Sequence, residues 1–150
     1  PAGPLRELKH KLHDVDVIVC NHKKVIDGSY LMKYKSEFLV NLKTKQKIPL
    51  SEVRLSNIHA IAGIGNPDRF FNDLKYLGLV FNSSAYQDHY RFTKKDFKTM
   101  GGKNIIMTEK DAVKCEKFAQ DNFWYLPVDV DIDSKFTNVI LKKLKYISHG

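Results

Sequence analysis

The stretch IHAIAGIGNPDRFFNDLKYLG, residues 58–78, decides the fold class. It begins with an apolar run typical of a buried strand and then turns through two closely spaced glycines. Asn66 and Pro67 follow, and these residue types are favoured at the N-cap and the first position of a helix. Four apolar residues then recur at helical spacing: Phe70, Phe71, Leu74 and Leu77. The stretch therefore predicts a strand, a tight turn and an amphipathic helix that Gly78 ends.

The same alternation continues to the end of the chain. Apolar runs predict further strands at 79–81, 104–107 and 123–128, and helical periodicity predicts helices at 93–100, 112–122 and 136–147. Strands that alternate with helices pair in parallel, because each helix carries the chain back across the sheet. We therefore expect an α/β fold with a small parallel Rossmann-like sheet and helices on both faces.

The first third of the chain has a different pattern. A short helix is predicted at Leu5–His13 and a buried strand at Val15–Cys20. Residues 29–34 and 37–42 suit two strands, which we expect to form a β ribbon. Because a two-stranded ribbon is marginally stable alone, it is expected to act as a linker or a docking element.

Composition excludes several classes of protein. The chain has 150 residues, of which 43% are hydrophobic and 28% charged, as in ordinary soluble domains. No apolar run approaches the roughly 20 residues that span a bilayer, and no signal-peptide pattern is visible. The two cysteines, Cys20 and Cys115, fit neither a disulfide framework nor a zinc pattern, which favours a reducing cytosolic setting. The net charge of +8 favours anionic partners such as phosphates, nucleic acid or an acidic membrane.

Three bends follow strands of the predicted sheet, and ligands of such sheets bind beyond the carboxyl ends of the strands. The first bend is Gly63–Arg69. Gly63 and Gly65 permit close backbone approach, while the start of the helix at Asn66 and the guanidinium of Arg69 favour an anion. The alternative interpretation is a tight strand-to-helix turn with a surface arginine.

The second bend contains Asp88 and His89. Histidine titrates near neutral pH, and an adjacent carboxylate orients it, so His89 is a candidate base or a positioner of one. The alternative is a polar loop before a helix, with Thr93 and Asp96 as a capping box.

The third bend is Thr108–Asp111, in which Lys110 lies beside a helix N-terminus and is a candidate phosphate contact. Thr108 and Asp111 have the spacing of a capping box. The alternative is a solvated first turn of the helix.

Two nucleotide-binding motifs are missing from these 150 residues. No G-x-x-x-x-G-K-[ST] loop occurs, and the Gly63–Gly65 pair lacks the third glycine of a G-x-G-x-x-G fingerprint. His10 and His13 share a helix face but have no third ligand nearby in sequence, so we predict no metal site.

Taken together, the bends resemble the C-terminal half of the tetraacyldisaccharide 4′-kinase family, bacterial enzymes that phosphorylate the lipid A precursor. The resemblance rests on AGIGNP with RFF at 62–71, Asp88-His89, the string MTEKDAVKC at 107–115 and WYLPVD at 124–129. The opening residues PAGPLRE, 1–7, resemble the segment that ends the ATP-binding half of that family.

The resemblance implies two α/β domains joined by a β ribbon, the first of which carries the P-loop and the magnesium-binding acidic residues. It divides this chain into 1–28 as the end of the P-loop domain, 29–57 as a two-stranded β linker and 58–150 as the C-terminal α/β/α domain. The chain is then expected to begin just after those motifs of the P-loop half. We expect ATP and Mg²⁺ to be bound mainly by that half, and these residues alone to be inactive.

The resemblance also implies residue roles. His89, with Asp88 before it, matches the histidine that pairs with an aspartate of the other half and assists deprotonation of the sugar 4′-hydroxyl. Residues bordering the substrate or nucleotide cleft are then Arg6, Glu7, Gly63, Gly65, Asn66, Arg69, Thr108, Lys110 and Asp111.

The partners implied are an acylated disaccharide phosphate, ATP and the cytoplasmic face of the bacterial inner membrane. Nucleic acid is not expected. The alternative function is a basic α/β binding module for nucleic acid or nucleotide, which the charge permits but no recognition motif supports.

Overall fold

The structure, a computed structural model, describes residues 8–21 and 26–147. In chain order its strands are β1 (Val19–Asn21), β2 (Tyr30–Lys35), β3 (Phe38–Asn41), β4 (Lys47–Pro49), β5 (Ile58–Ala62), β6 (Phe81–Ala85), β7 (Asn104–Thr108), β8 (Phe123–Leu126) and β9 (Asp129–Ile132). Its α-helices are α1 (Pro67–Tyr76), α2 (Glu109–Cys115) and α3 (Ser134–Ile147). The chain divides into two compact units, residues 1–35 with 129–150 and residues 36–128.

The unit formed by residues 36–128 contains a six-stranded sheet in the order β4-β3-β8-β7-β5-β6. Strands β8, β7, β5 and β6 are parallel, whereas β3 is antiparallel to both β8 and β4. The predicted α/β class and parallel sheet are therefore confirmed. The antiparallel extension by β3 and β4 was not expected.

Helices cover both faces of this sheet, as expected. Alternate residues of a strand point to opposite faces, and in β5 Ala60 and Ile61 belong to different apolar clusters. One cluster contains Ala60 with the buried face of α1, which comprises Phe70, Phe71 and Leu74. The other contains Ile61 with the buried residues Ala112 and Cys115 of α2.

Local capping chemistry sets the ends of α1. The side chain of Asn66 accepts a hydrogen bond from the backbone N–H of Arg69 at 3.3 Å, and Pro67 is the first helical residue. After the helix, Gly78 has a φ of 77°, and its N–H donates to the carbonyl of Lys75 at 2.9 Å. Because non-glycine residues rarely adopt this left-handed conformation, Gly78 ends the helix as predicted.

The other unit contains a three-stranded sheet in the order β1-β2-β9, with β1 parallel and β9 antiparallel to β2. In this unit α3 contacts the sheet through Phe136, whose ring lies 5.6 Å from that of Tyr30. Lys143 of α3 also pairs with the exposed Asp16 and lowers the pKa of that carboxyl group. No helix within residues 8–21 and 26–147 is long and apolar enough to cross a bilayer.

The predicted ribbon of residues 29–34 and 37–42 is wrong in its pairing. Both strands exist, as β2 and β3, but β2 pairs with β1 and β9, whereas β3 pairs with β4 and β8. Only residues 36 and 37 separate the two strands, and the chain does not fold back there: β2 and β3 belong to different sheets. Pairing partners far along the sequence are not visible in a local pattern.

Two predicted helices differ in extent. Residues 93–100 do not form an α-helix; they form turns that end in a short 3-10 helix, Lys98–Met100. The carboxylate of Asp96 accepts hydrogen bonds from the N–H and the hydroxyl of Thr93, which closes one turn, and Gly101 and Gly102 follow too soon for a longer helix. The helix predicted at 112–122 is instead α2, which begins earlier and is followed by a 3-10 turn, Glu116–Phe118.

Smaller differences concern the remaining segments. Of the strand predicted at 79–81, only Phe81 lies in β6, which extends to Ala85 through polar residues that an edge strand tolerates. The strand predicted at Val15–Cys20 is reduced to β1. Of the helix predicted at Leu5–His13, the described part is a 3-10 helix, Lys9–His13, and its first residues lie outside the described part of the chain.

Candidate functional site

The three bends meet at one edge of the six-stranded sheet. Strands β5, β6 and β7 are parallel and in register, so that Ala62 lies beside Ala85 and Ile61 beside Met107. The N–H of Tyr86 donates to the carbonyl of Ala62 at 2.8 Å, which extends the pairing to the end of both strands. We call residues 63–66, 88–90 and 108–111 the carboxyl rim.

Asp111 joins two of the three bends. Its side chain is fully buried, and its Oδ2 accepts hydrogen bonds from the backbone N–H of Gly63 at 2.9 Å and from the hydroxyl of Thr108 at 2.7 Å. Its Oδ1 accepts from Nζ of Lys114 at 2.8 Å. Thr108 in turn caps α2, because its Oγ1 accepts from the N–H of Asp111 at 3.2 Å. The predicted cap is therefore present, and its carboxylate also reaches the first bend.

Gly63 lies where a side chain would be crowded. A Cβ atom at this position would approach Oδ1 of Asp111 to 3.2 Å, Cβ of Tyr90 to 3.3 Å and Cε2 of Phe92 to 3.4 Å. The two shorter distances are tighter than most Cβ contacts, so a side chain here would require the neighbouring atoms to move by a few tenths of an ångström. The close approach of other residues to this backbone was predicted from the two glycines.

Gly65 faces the second bend. A Cβ atom on Gly65 would lie 3.3 Å from Oδ2 of Asp88, so the turn after β5 passes directly against this carboxylate. Asp88 is 54% exposed at its side chain, and its Oδ1 accepts a hydrogen bond from the backbone N–H of His89 at 3.0 Å. The structure thus brings the first and second bends together.

His89 has an unusual backbone and an accessible side chain. Its φ is 61°, in the left-handed region that residues with a Cβ atom seldom adopt. Its side chain is 89% exposed, and Nε2 lies 3.8 Å from Oδ2 of Asp88, which is an ion-pair distance when the imidazole is protonated. Strained residues of this kind cluster at functional sites. The imidazole is therefore presented to solvent at the carboxyl rim.

The remaining candidate residues divide by accessibility. Asn66 and Lys110 are exposed and Arg69 is half-buried, whereas Thr108 is buried. Arg6 and Glu7 lie outside the described residues, so the structure gives no position for them. Of the residues that have a position, Asn66, Asp88, His89 and Lys110 present polar atoms to solvent.

An aromatic cluster that the sequence analysis did not single out supports the second bend. The rings of Tyr86, Tyr90 and Phe92 lie within 5.0 Å of one another, measured between ring centroids. The Tyr90 hydroxyl donates to Oδ1 of Asp96 at 2.9 Å, and this hydrogen bond raises the pKa of Tyr90. Hydrogen bonds from Thr93 and Tyr90 lower the pKa of Asp96. Sequence spacing could have indicated the cluster, because the aromatic residues recur every few positions.

Two buried titratable groups are unsuited to acid–base or nucleophilic catalysis. Burial raises the pKa of the Cys115 thiol to about 12, so this sulfur stays protonated and inert near neutral pH. His59, in β5, is buried, with Nε2 2.9 Å from the hydroxyl of Ser84. Burial, followed by the charge of Lys103, lowers the pKa of His59.

A metal site needs several ligands that converge on one point. Among residues 8–21 and 26–147, no group of three or more histidine, cysteine, aspartate or glutamate side chains is placed to hold a metal. Asp88 and His89 form a pair without a third ligand of this kind, and Asp111 already accepts three hydrogen bonds.

The parallel sheet ends in glycine turns, a carboxylate and an exposed histidine. These features are typical of the α/β proteins whose ligands bind beyond the carboxyl ends of the strands. The family model for tetraacyldisaccharide-1-P 4′-kinase matches residues 1–145. The tetraacyldisaccharide 4′-kinase of Methylobacillus flagellatus is 43% identical over 145 residues, which are 96% of this chain and 43% of the relative. That of Vibrio campbellii is 41% identical over 150 residues, covering 98% of this chain and 44% of the relative.

The chain belongs to the tetraacyldisaccharide 4′-kinase family, and it spans less than half of the length of these curated relatives. Its fold is also similar to a crystal structure of LpxK from Aquifex aeolicus in complex with ATP. The TM-score is 0.69 at 23% identity, over 91% of this chain and 45% of that chain. At this identity the similarity establishes the fold alone.

Proposed function

We propose that these residues form part of an ATP-dependent kinase that phosphorylates the 4′-hydroxyl of a tetraacyldisaccharide 1-phosphate in lipid A biosynthesis. The observation that carries this proposal is the family match over residues 1–145, together with relatives that are about 40% identical across nearly the whole chain. The exposed histidine beside a carboxylate at the carboxyl rim is consistent with a role in deprotonating a sugar hydroxyl.

We propose catalytic roles for His89 and Asp88. An imidazole that is 89% exposed reaches an incoming substrate without any rearrangement, and the neighbouring carboxylate orients it or stabilises its protonated form. The left-handed backbone of His89 supports the same role, because such strain is retained where a residue must point in one direction.

The other candidate residues border the cleft in this proposal. Asn66, Arg69 and Lys110 supply amide, guanidinium and ammonium groups that suit hydroxyls and phosphates. Gly63, Gly65 and Thr108 shape the cleft, because a side chain on either glycine would crowd Asp111 or Asp88. Arg6 and Glu7 are proposed to border it as well.

ATP and Mg²⁺ are proposed to be held mainly outside these 150 residues. The sequence contains no P-loop motif, and the described residues provide no cluster of metal ligands. The relatives are more than twice as long as the matched region, which leaves room for an ATP-binding half. The divisions 1–28, 29–57 and 58–150 are proposed on the same basis, as the end of that half, the linker and the second domain.

The acylated substrate indicates where the complete enzyme would work. A tetraacyl lipid stays in a membrane, so we propose that the enzyme acts as a peripheral protein at the cytoplasmic face of the bacterial inner membrane. The net charge of +8 supports attraction to an anionic lipid surface.

The test is ATP-dependent phosphorylation of tetraacyldisaccharide 1-phosphate by a full-length enzyme that carries this sequence as its matching segment. His89→Ala should lower kcat by roughly 10²-fold or more, in the range that a lost general acid–base group costs. Gln87→Ala is the matched control, because Gln87 is an exposed residue of the same bend. An unchanged rate for His89→Ala would remove His89 from the mechanism, and no phosphorylation by the full-length enzyme would refute the kinase proposal.

The isolated 150 residues provide a second measurement. We expect no measurable phosphorylation from them, because they contain no P-loop. Robust ATP-dependent turnover by this purified chain would contradict the proposed division of labour between the two halves.

A further inference from the structure

Asp111 and Lys114 hold the peptide groups of Gly63 from both sides. Oδ2 of Asp111 accepts from the N–H of Gly63 at 2.9 Å, and Nζ of Lys114 lies 3.4 Å from the carbonyl oxygen of Gly63. The two side chains also bind each other at 2.8 Å, through Nζ of Lys114 and Oδ1 of Asp111. The ion pair therefore fixes both the donor and the acceptor of one glycine at the start of the turn.

The same ion pair is shielded from water. Asp111 is fully buried, and the side chain of Lys114 is 27% exposed. Nζ of Lys114 lies 5.9 Å from the centroid of the Phe92 ring, which belongs to the aromatic cluster beside the second bend. A buried pair in which both partners also bind the backbone is rigid, because moving either one leaves a charge without a partner.

The turn that starts at Gly63 ends against Asp88. Gly65 approaches the Asp88 carboxylate so closely that a Cβ atom would be 3.3 Å from Oδ2. The other oxygen of Asp88 accepts from the N–H of His89. The Gly63–Gly65 turn therefore borders one side of the Asp88 carboxylate, and the other oxygen of that carboxylate binds the backbone of His89.

We propose that Asp111, paired with Lys114, is a positioning residue that holds the Gly63–Gly65 turn where Asp88 and His89 are ordered for the substrate. This inference rests on the proposed function for the identity of the site. Asp111 has no exposed surface, so it acts through the turn and not by contact with the substrate. Lys114, which the sequence analysis did not assign to the site, supplies the positive charge that compensates the buried carboxylate of Asp111.

Two neutral double variants of the 150-residue chain test the proposal. Asp111→Asn with Lys114→Met removes both charges but keeps an amide oxygen that accepts from the Gly63 N–H. Asp111→Leu with Lys114→Met has nearly the same shape and no acceptor. Neither variant leaves a buried charge unpaired, so both are expected to fold.

The readout is the set of backbone amide resonances of Gly65, Asp88 and His89 in ¹H–¹⁵N NMR spectra. The asparagine variant should keep these resonances at their wild-type positions, whereas the leucine variant should shift them by more than a line width. Asp111→Ala in the same Lys114→Met background replaces the leucine variant if that one does not fold. Lys43→Met, which breaks the exposed ion pair of Lys43 with Asp121, is the matched control and should leave the rim resonances unchanged.

The outcomes separate this inference from the proposed function. If the leucine and alanine variants lower stability but leave the three resonances in place, Asp111 only stabilises the fold and the positioning role is wrong. If the asparagine variant shifts them as much as the leucine variant does, the Gly63 hydrogen bond is not the link, and the inference fails as well. The spectra require no kinase activity, so a failure of the phosphorylation assay would leave this result standing.

Discussion

The left-handed backbone of His89 leads to an unusual expectation: removal of this side chain down to glycine should not destabilise the protein. At a φ of 61°, a residue with a Cβ atom is strained by about 1–2 kcal/mol relative to the right-handed conformation. The side chain contributes little packing, since it is 89% exposed. The strain therefore has no evident compensation from burial.

The magnitude follows from two opposing terms. Glycine relieves the strain of about 1–2 kcal/mol, while its extra freedom in the unfolded chain costs about 0.5–1 kcal/mol. His89→Gly should therefore raise the free energy of unfolding by about 0.5–1 kcal/mol relative to His89→Ala, which keeps the Cβ atom and hence the strain. At an ordinary right-handed position the sign would be the opposite.

The assay is urea unfolding of the 150-residue chain, followed by circular dichroism. With a slope of about 2 kcal/mol per molar urea, the glycine variant should have a midpoint about 0.3–0.5 M above that of the alanine variant. Lys45 is the internal control, because it also has a φ of 61° but lies in the β3–β4 turn. The difference between Lys45→Gly and Lys45→Ala should have the same sign and a similar size.

The refuting result is equally specific. If His89→Gly unfolds at lower urea than His89→Ala while the Lys45 pair behaves as expected, the bend at His89 is not held in a strained conformation. Strain could then no longer support the assignment of His89 to the site.

Three further predictions concern other residues, all measurable by urea unfolding. Gly63→Ala should lower the free energy of unfolding by about 1–3 kcal/mol through overpacking. Gly65→Ala should lower it by clearly less, because the close contact of Gly65 is the half-exposed carboxylate of Asp88, which can turn away. Equal losses of stability in the two variants would contradict this contrast. Asn66→Ala should cost about 1 kcal/mol through loss of the N-cap, and an unchanged midpoint would show that the 3.3 Å hydrogen bond is immaterial. Because the pKa of His59 is lowered in the folded chain, the unfolded chain binds more protons than the folded chain as the pH drops below 6.5, and stability should fall there. This pH dependence should weaken in His59→Gln. If it persists at full strength in that variant, other groups cause it.

What the sequence could predict was mainly local chemistry. Asn66, Gly78 and Thr108 act at helix ends in the way that their residue types require, because a cap is decided by a few neighbouring atoms. The parallel sheet was also predictable, since the alternation of strands and helices restricts the topology. From that topology the meeting of three bends at one edge follows without knowledge of any side-chain contact.

What the sequence could not predict depends on distant partners. The strands at 30–35 and 38–41 look alike in pattern, yet each has one partner far along the chain, about 100 residues away in β9 for the first and about 85 in β8 for the second. Likewise, Asp111 has the spacing of an ordinary cap, and only the fold shows that its carboxylate is buried against Gly63. No sequence pattern indicated a role for Lys114 in the site, because a lysine in a short amphipathic helix is usually solvated.

Accessibility separates the candidate residues into two groups with different physical roles. Asp111, Thr108 and Gly63 are buried, and Asp111 is hydrogen-bonded to the other two, so they form a frame beneath the exposed residues. Asp88 and His89 lie on this frame with exposed polar atoms. If Asp88 and His89 have the proposed catalytic role, the precision of the site comes from the buried frame and its reactivity from the exposed pair. Substitutions in the two groups should therefore differ in kind: frame variants should alter stability and rim geometry together, whereas His89 variants should alter chemistry while the fold is kept.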